Sequence, residues 1–299
     1  MNQKNTETRP LPWLNPVGGL GDVLMYSSVL KMAHDQRGFR CNLIRRARYA
    51  EMLAGHPAIA EIDFFPKGAE RLSTAYWERA EFNSGEIPRA FQMLGKMFGL
   101  ALPVPENFYL PLDGVSDKLL ASLIPWGKKT AVLAPTSESP RKMLPFEKWE
   151  RVAAALHEMG ALVLQFGQAS DRKIKHAYSL CGLSSPKEAV LLLKRADLLI
   201  AGDNFLAHAA HLTGTPAITL WGPTSAGVYG YPEHKRLSAP EGCSSGKCIM
   251  STVARERSEV YRSPCPEKTH CLDKISSDEI IESARKLLFQ PAFPAQSRG

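Results

Sequence analysis

Short apolar runs alternate along the chain with stretches whose apolar residues recur every three or four positions, the pattern of strands joined by helices. Trp13-Leu14-Asn15 leads through Pro16-Val17-Gly18-Gly19-Leu20-Gly21-Asp22 into a helix with Val23, Tyr26, Val29, Leu30 and Ala33 on one side. Cys41–Ile44 and Ile59–Phe65 read as strands, with a helical stretch around Ala47–Ala54 between them and a break at Gly55-His56-Pro57. A right-handed βαβ arrangement follows. The pattern from Leu72 to Gly99 is mixed and gives only a helix from Ile87 to Phe98. Leu110-Pro111-Leu112-Asp113-Gly114 closes the regular part of this half, and another helix is expected near Ser116–Leu123.

Ile124-Pro125-Trp126-Gly127-Lys128-Lys129 interrupts the pattern before the apolar run Thr130–Ala134, which places a domain boundary there: residues 1–124, then 125–290, then a polar tail at 291–299. The second half continues with a helix from about Phe146 to Met159, a strand Ala161–Phe166 and a helix Pro186–Arg195. The run Ala196–Ala201 stops at Gly202, and Asp203 is the expected N-cap of the next helix. Gly214-Thr215-Pro216 and the strand Ala217–Trp221 follow. A final helix, Ser276–Leu288, carries Ile280, Ile281, Ala284, Leu287 and Leu288 on one side.

With 299 residues, 44% of them hydrophobic and 22% charged, the chain can bury a large core in about two domains. It contains no apolar run near the roughly 20 residues that span a bilayer, and its first residues lack the apolar core of a signal peptide, so a cytoplasmic location is expected. The net charge of +7 suits an anionic partner such as a nucleotide diphosphate, a phosphorylated glycolipid or the membrane surface that carries it. The basic residues fall in small groups (Arg45, Arg46 and Arg48; Lys128 and Lys129; Arg172, Lys173 and Lys175) without a recognised nucleic-acid motif, so nucleic acid is not expected.

Chemistry concentrates at the two turns. Gly18, Gly19 and Gly21 permit a tight turn and close approach of a ligand to the backbone, while Asp22 is either a first-turn acid of the helix or a functional carboxylate. The second turn places free N–H groups at a strand's C-terminal edge, which favours an anion such as a diphosphate; Asp203 can equally do no more than cap its helix. Of six cysteines, Cys41 and Cys181 read as free thiols, whereas Cys243, Cys248, Cys265 and Cys271 cluster late in the chain. In a reducing compartment such a cluster is compatible with a structural Zn or Fe ion or with four free thiols.

Gly18-Gly19-Leu20-Gly21-Asp22 near the start, with Asp203-Asn204-Phe205-Leu206-Ala207-His208, Gly214-Thr215-Pro216 and Trp221-Gly222-Pro223-Thr224 near the end, resembles glycosyltransferase family 9 over about residues 13–288. Between them, Thr136-Ser137 and Arg141-Lys142-Met143-Leu144-Pro145 with Trp149 look like that family's Thr/Ser-x-Lys-x-Trp-Pro region. The sequence departs from the pattern at Phe205 (usually Gly), Leu144 (often Trp) and Ser225 (usually Asp). The resemblance implies an α/β chain with two Rossmann-like domains facing across a cleft, the GT-B type of glycosyltransferase fold, with a final helix that returns toward the first domain. It implies a metal-independent, inverting transfer of a sugar, ADP-heptose being the favoured donor, to a lipopolysaccharide-type glycolipid or glycan. Asp22 would be the base. Lys142, Thr136, Ser137, Asp203, Asn204, Phe205 and His208 would lie on the donor side, His208 serving either the ligand or helix packing, and Gly18, Gly19 and Gly21 on the acceptor side. The alternatives are an epimerase or hydrolase of the same fold, or a non-catalytic nucleotide-sugar-binding protein.

Overall fold

The computed structural model describes residues 10–79, 89–116, 118, 122, 124, 127–239, 248–251, 259–267 and 270–290. Two separate sheets, each wholly parallel among the described strands, form the architecture. The first has the order β3-β2-β1-β4, from β1 (Trp13–Asn15), β2 (Cys41–Ile44), β3 (Ile59–Asp63) and β4 (Arg71–Ser73). The second has the order β10-β9-β8-β5-β6-β7, from β5 (Thr130–Ala134), β6 (Leu162–Gln165), β7 (Tyr178–Ser179), β8 (Leu198–Gly202), β9 (Ala217–Trp221) and β10 (Lys235–Ser238). Every residue of β5, β8 and β9 is buried, as unbroken apolar runs in a sheet covered on both faces require.

Among the described residues the helices include α1 (Leu20–Arg37), α2 (Ala90–Met97), α3 (Phe146–Glu158), α4 (Pro186–Leu193), α5 (Phe205–Thr213), α6 (Ala226–Tyr229), α7 (Cys248–Ser251) and α8 (Ser277–Phe289). The stretch expected to be helical at 47–54 is a loop ending in a 3-10 turn, Ala50–Leu53. The short strands β4, β7 and β10 have no counterpart in the sequence pattern. The helix expected near Ser116–Leu123 and the tail after 290 fall wholly or mostly outside the described residues.

One hydrophobic core runs through both halves. It joins Leu14, Leu24, Leu30 and Leu43 of the first to Val132, Leu199, Leu206 and Ala209 of the second, with α1 packed on α5 at the seam. A second core fills the other face of the larger sheet with Leu133, Trp149, Ile200 and Leu220. Leu144, where the family often has Trp, is a buried member of this core. The final helix α8 inserts Ile280, Ala284 and Leu288 there and packs on α3, β8 and β9. Its main contacts are therefore with the second domain, not the first as expected: the outer face of that sheet was the open apolar surface its own stripe could cover.

Candidate active site

The C-terminal ends of β1, β5, β6 and β8 converge on a cleft of about 770 Å³ lined by both domains. From the first domain comes the turn after β1. Gly18 sits at φ +100°, and a Cβ there would lie 2.4 Å from Asp22 Oδ2, so glycine is what lets the carboxylate fold back over the turn. Asp22 stands in the first turn of α1, where Oδ2 accepts the Gly19 N–H at 2.8 Å and Oδ1 accepts the Tyr76 O–H at 2.8 Å. It is thus both a helix-start acid and a cleft residue. Burial pushes its carboxyl above the ordinary value; the bonds from Tyr76 and Gly19 and the charge of Lys142 oppose that shift, and Asp203 adds to it. Gly21 lines the cleft and also serves packing. A Cβ there would lie 2.5 Å from His208 Cδ2, so its bare surface lets α1 and α5 meet.

The second domain supplies the facing wall. The N-cap of α5 is Asn204 and not Asp203: its Oδ1 accepts the Leu206 N–H at 3.0 Å, and its Nδ2 donates to the carbonyls of Ala134 (3.0 Å) and Thr136 (3.1 Å), tying the turn to the end of β5. Asp203 is thereby freed from capping. It pairs with Lys142 Nζ at 2.7 Å and accepts the Thr224 hydroxyl at 2.7 Å, with the two charged side chains, Lys142 and Asp203, only 12% and 7% exposed. Burial disfavours both charges, but each stabilises the other, so the Asp203 carboxyl lies below its usual value and the Lys142 ammonium above its own. Lys142 comes from the 3-10 turn Pro140–Lys142 and also lies 5.2 Å from the centre of the Tyr261 ring.

The other expected donor-side residues line the same cleft. Thr136 donates its hydroxyl to Asp171 Oδ2 at 2.7 Å, Ser137 Oγ accepts from Ser139 N–H at 3.5 Å, and Phe205 opens α5. His208 is buried, with Nδ1 2.6 Å from the Tyr231 hydroxyl; burial lowers its pKa to about 4 and keeps it neutral. It touches the cleft and packs the seam.

Sequence reasoning missed Tyr76, Tyr229, Tyr261 and Asp171, all cleft residues. Asp171 follows the end of β6, where the rule that α/β sheets bind ligands at strand C-termini could have found it. Arg48 and Tyr49 were missed as well. At the cleft rim they reach across to Glu138 of the second domain, Arg48 by two bonds of 2.5 and 3.2 Å and the Tyr49 hydroxyl by one of 2.8 Å.

The cysteine cluster does not assemble among the described residues. No three His, Cys, Asp or Glu side chains there converge as metal ligands. Arg141 donates to Cys248 Sγ at 3.4 Å. Cys243 lies outside the described residues.

No helix among the described residues is long and apolar enough to cross a membrane. No curated sequence matches the chain. Among solved structures, an ADP-heptose lipopolysaccharide heptosyltransferase II from E. coli is 16% identical with a TM-score of 0.65, the alignment covering 94% of this chain and 99% of that one. A family 9 glycosyltransferase from Veillonella parvula is 14% identical, with a TM-score of 0.64 and coverage of 93% and 97%. The dodecameric, iron-containing heptosyltransferase TibC of enterotoxigenic E. coli, in complex with ADP-D-β-D-heptose, is 16% identical, with a TM-score of 0.69 and coverage of 93% and 76%. These likenesses establish the two-domain GT-B fold. Residues 72–251, more than half of the chain, match the family model described as glycosyltransferase family 9 (heptosyltransferase). The chain therefore belongs to glycosyltransferase family 9 and is a glycosyltransferase.

Proposed function

We propose that this protein transfers a heptose from ADP-heptose to a hydroxyl of a lipopolysaccharide-type glycan or glycolipid, with inversion and without a catalytic metal. One observation carries the reading: Asp22 from the first domain and the Lys142–Asp203 pair from the second line a single cleft. Inversion requires a base on the face opposite the leaving group. Asp22 takes the acceptor hydroxyl's proton as that oxygen bonds to the anomeric carbon, and the bond from this carbon to the diphosphate breaks with its electron pair leaving on ADP. Lys142 answers the charge that develops on the diphosphate, helped by Ser137 and the positive end of α5. The Thr136 hydroxyl proton is engaged by Asp171, so Thr136 contributes to the shape of this wall more than to charge. Asp203 holds the Lys142 ammonium in place and shares it with the incoming diphosphate.

The donor assignment draws on the family description and on the solved heptosyltransferase complex with ADP-heptose. A glycolipid acceptor would bring the protein to the cytoplasmic face of a membrane, and the net charge of +7 favours an anionic surface there. The test is mass spectrometry of acceptor glycans incubated with the protein and ADP-heptose. A product heavier by one heptose, formed with release of ADP, is expected. Heptose released to water at the same rate with and without acceptor would overturn transfer in favour of hydrolysis.

A further inference from the structure

Asp22 has both carboxylate oxygens engaged, one by its own helix and one by a distant side chain. The Gly19 N–H holds Oδ2 at 2.8 Å, and the Tyr76 O–H holds Oδ1 at 2.8 Å from the 3-10 turn Tyr76–Glu78 beyond β4. Tyr76 is 1% exposed, and its ring meets Trp77 edge-on at 5.0 Å, so the hydroxyl has little freedom to turn away. Its single proton points at Asp22. The same hydroxyl lies 3.5 Å from the Tyr229 hydroxyl, on the last residue of α6 in the second domain. Arg89 of the first domain seats that helix, donating to the carbonyls of Gly227 (3.1 Å) and Gly230 (2.9 Å) while paired with Glu106 at 2.6 Å.

We propose that Tyr76 is a positioning residue for Asp22, and that Tyr229 ties its grip to the seating of the second domain. The inference rests on Asp22 being the base. A carboxylate that must meet an acceptor hydroxyl needs a fixed rotamer and a free lone pair, and one hydrogen bond to each oxygen provides both. The same bond favours the ionised form, which burial disfavours. The other charged or titratable groups around Asp22 are Lys142 and Tyr261, Asp203 and His208 of the β8–α5 region, Tyr229 of α6, and Tyr26 on its own helix. Among these described groups Lys142 brings the positive charge that favours the carboxylate, and the Tyr76 proton adds the largest hydrogen-bond contribution to it.

The test compares Tyr76→Phe, Tyr229→Phe and Asp22→Asn by kcat/KM against pH and by calorimetric titration with ADP. Each Tyr→Phe change keeps the ring and hence the packing. For Tyr76→Phe the acid limb is expected to move to higher pH by about one unit, as loss of a hydrogen bond to a charged group implies. Tyr229→Phe should move it the same way by less, and neither should change ADP affinity. An acid limb that stays in place while the Tyr76→Phe rate falls would reduce Tyr76 to packing and overturn the proposal. Wild-type turnover by Asp22→Asn would instead remove the base assignment itself, a failure distinct from an unmoved limb.

Discussion

The turn after β1 and the turn after β8 are built alike, each a strand that stops at small residues before a helix, and each offers one aspartate to the same cleft. Their carboxyl pKa values nevertheless shift in opposite directions. Asp22 is held by two neutral donors and its carboxyl is raised above the ordinary value by burial; Asp203 bonds an ammonium at 2.7 Å and its carboxyl is lowered. What separates them is the cap. In the first turn the acid itself closes the start of the helix, while in the second Asn204 does the capping and leaves Asp203 for Lys142. A partner supplied by another segment decides what an aspartate at such a turn can do.

The largest expected effect breaks the symmetry at the Asp22 turn. Asp22→Asn should lower turnover by about 10²–10⁴-fold, the usual contribution of a general base, while ADP binding, measured by calorimetric titration, stays near wild type. Near-normal turnover would leave the two aspartates equivalent.

Lys142→Ala attacks the other turn and should act first on stability. It leaves the Asp203 carboxylate buried without its cation, a loss expected to cost about 3–5 kcal/mol in chemical denaturation, together with weakened ADP binding. A variant that keeps both stability and ADP affinity would show that the pair is dispensable.

A smaller effect is a difference of sign in pH dependence. Asp203, with its folded pKa depressed below that of an ordinary aspartate, contributes stability that is present above the ordinary value and lost as pH falls through the folded pKa. Asp22, with its folded pKa raised, behaves oppositely: the native state holds the proton more tightly, so wild type gains stability as pH falls through the raised pKa toward the ordinary one. Denaturation of wild type, Asp22→Asn and Asp203→Asn from neutral to acid pH should show the wild-type advantage over Asp203→Asn shrinking and that over Asp22→Asn growing. Parallel curves would erase the distinction.

The smallest expected effect is none. Turnover in excess EDTA should equal that with added Mg²⁺, because Lys142 and the α5 terminus are proposed to carry the leaving diphosphate and the sequence has no Asp-x-Asp pair. Activity that EDTA abolishes and Mg²⁺ restores would assign part of Lys142's role to an ion.

Both turns were legible in the sequence because glycine, acid and apolar periodicity are local signals, and so were β5, β8 and β9, whose burial on both faces leaves unbroken apolar runs. The placement of Lys142 in the cleft came with the family motif. Its ion pair with Asp203 did not, since the two residues approach only when the ends of β5 and β8 lie side by side. Tyr76 follows a three-residue strand in a segment without period, and Tyr229 ends a four-residue helix; neither is long enough to announce itself. The stripe on α8 foretold that it would pack but not on which domain, and cysteine spacing foretold nearness in sequence that did not become a cluster among the described residues.

The core that passes from Leu14 and Leu24 to Leu206 and Ala209 without a break has a mechanical consequence. Two lobes joined only by a linker can swing apart like the covers of a book, whereas lobes that share interior side chains can only roll on one another while that interior stays dry. A chain severed near residue 127 would yield two fragments, each with an oily flank along α1 or α5, soluble only after finding its complement. The contacts that keep Asp22 and Lys142 on one cleft are therefore the ones that make this polypeptide a single molecule.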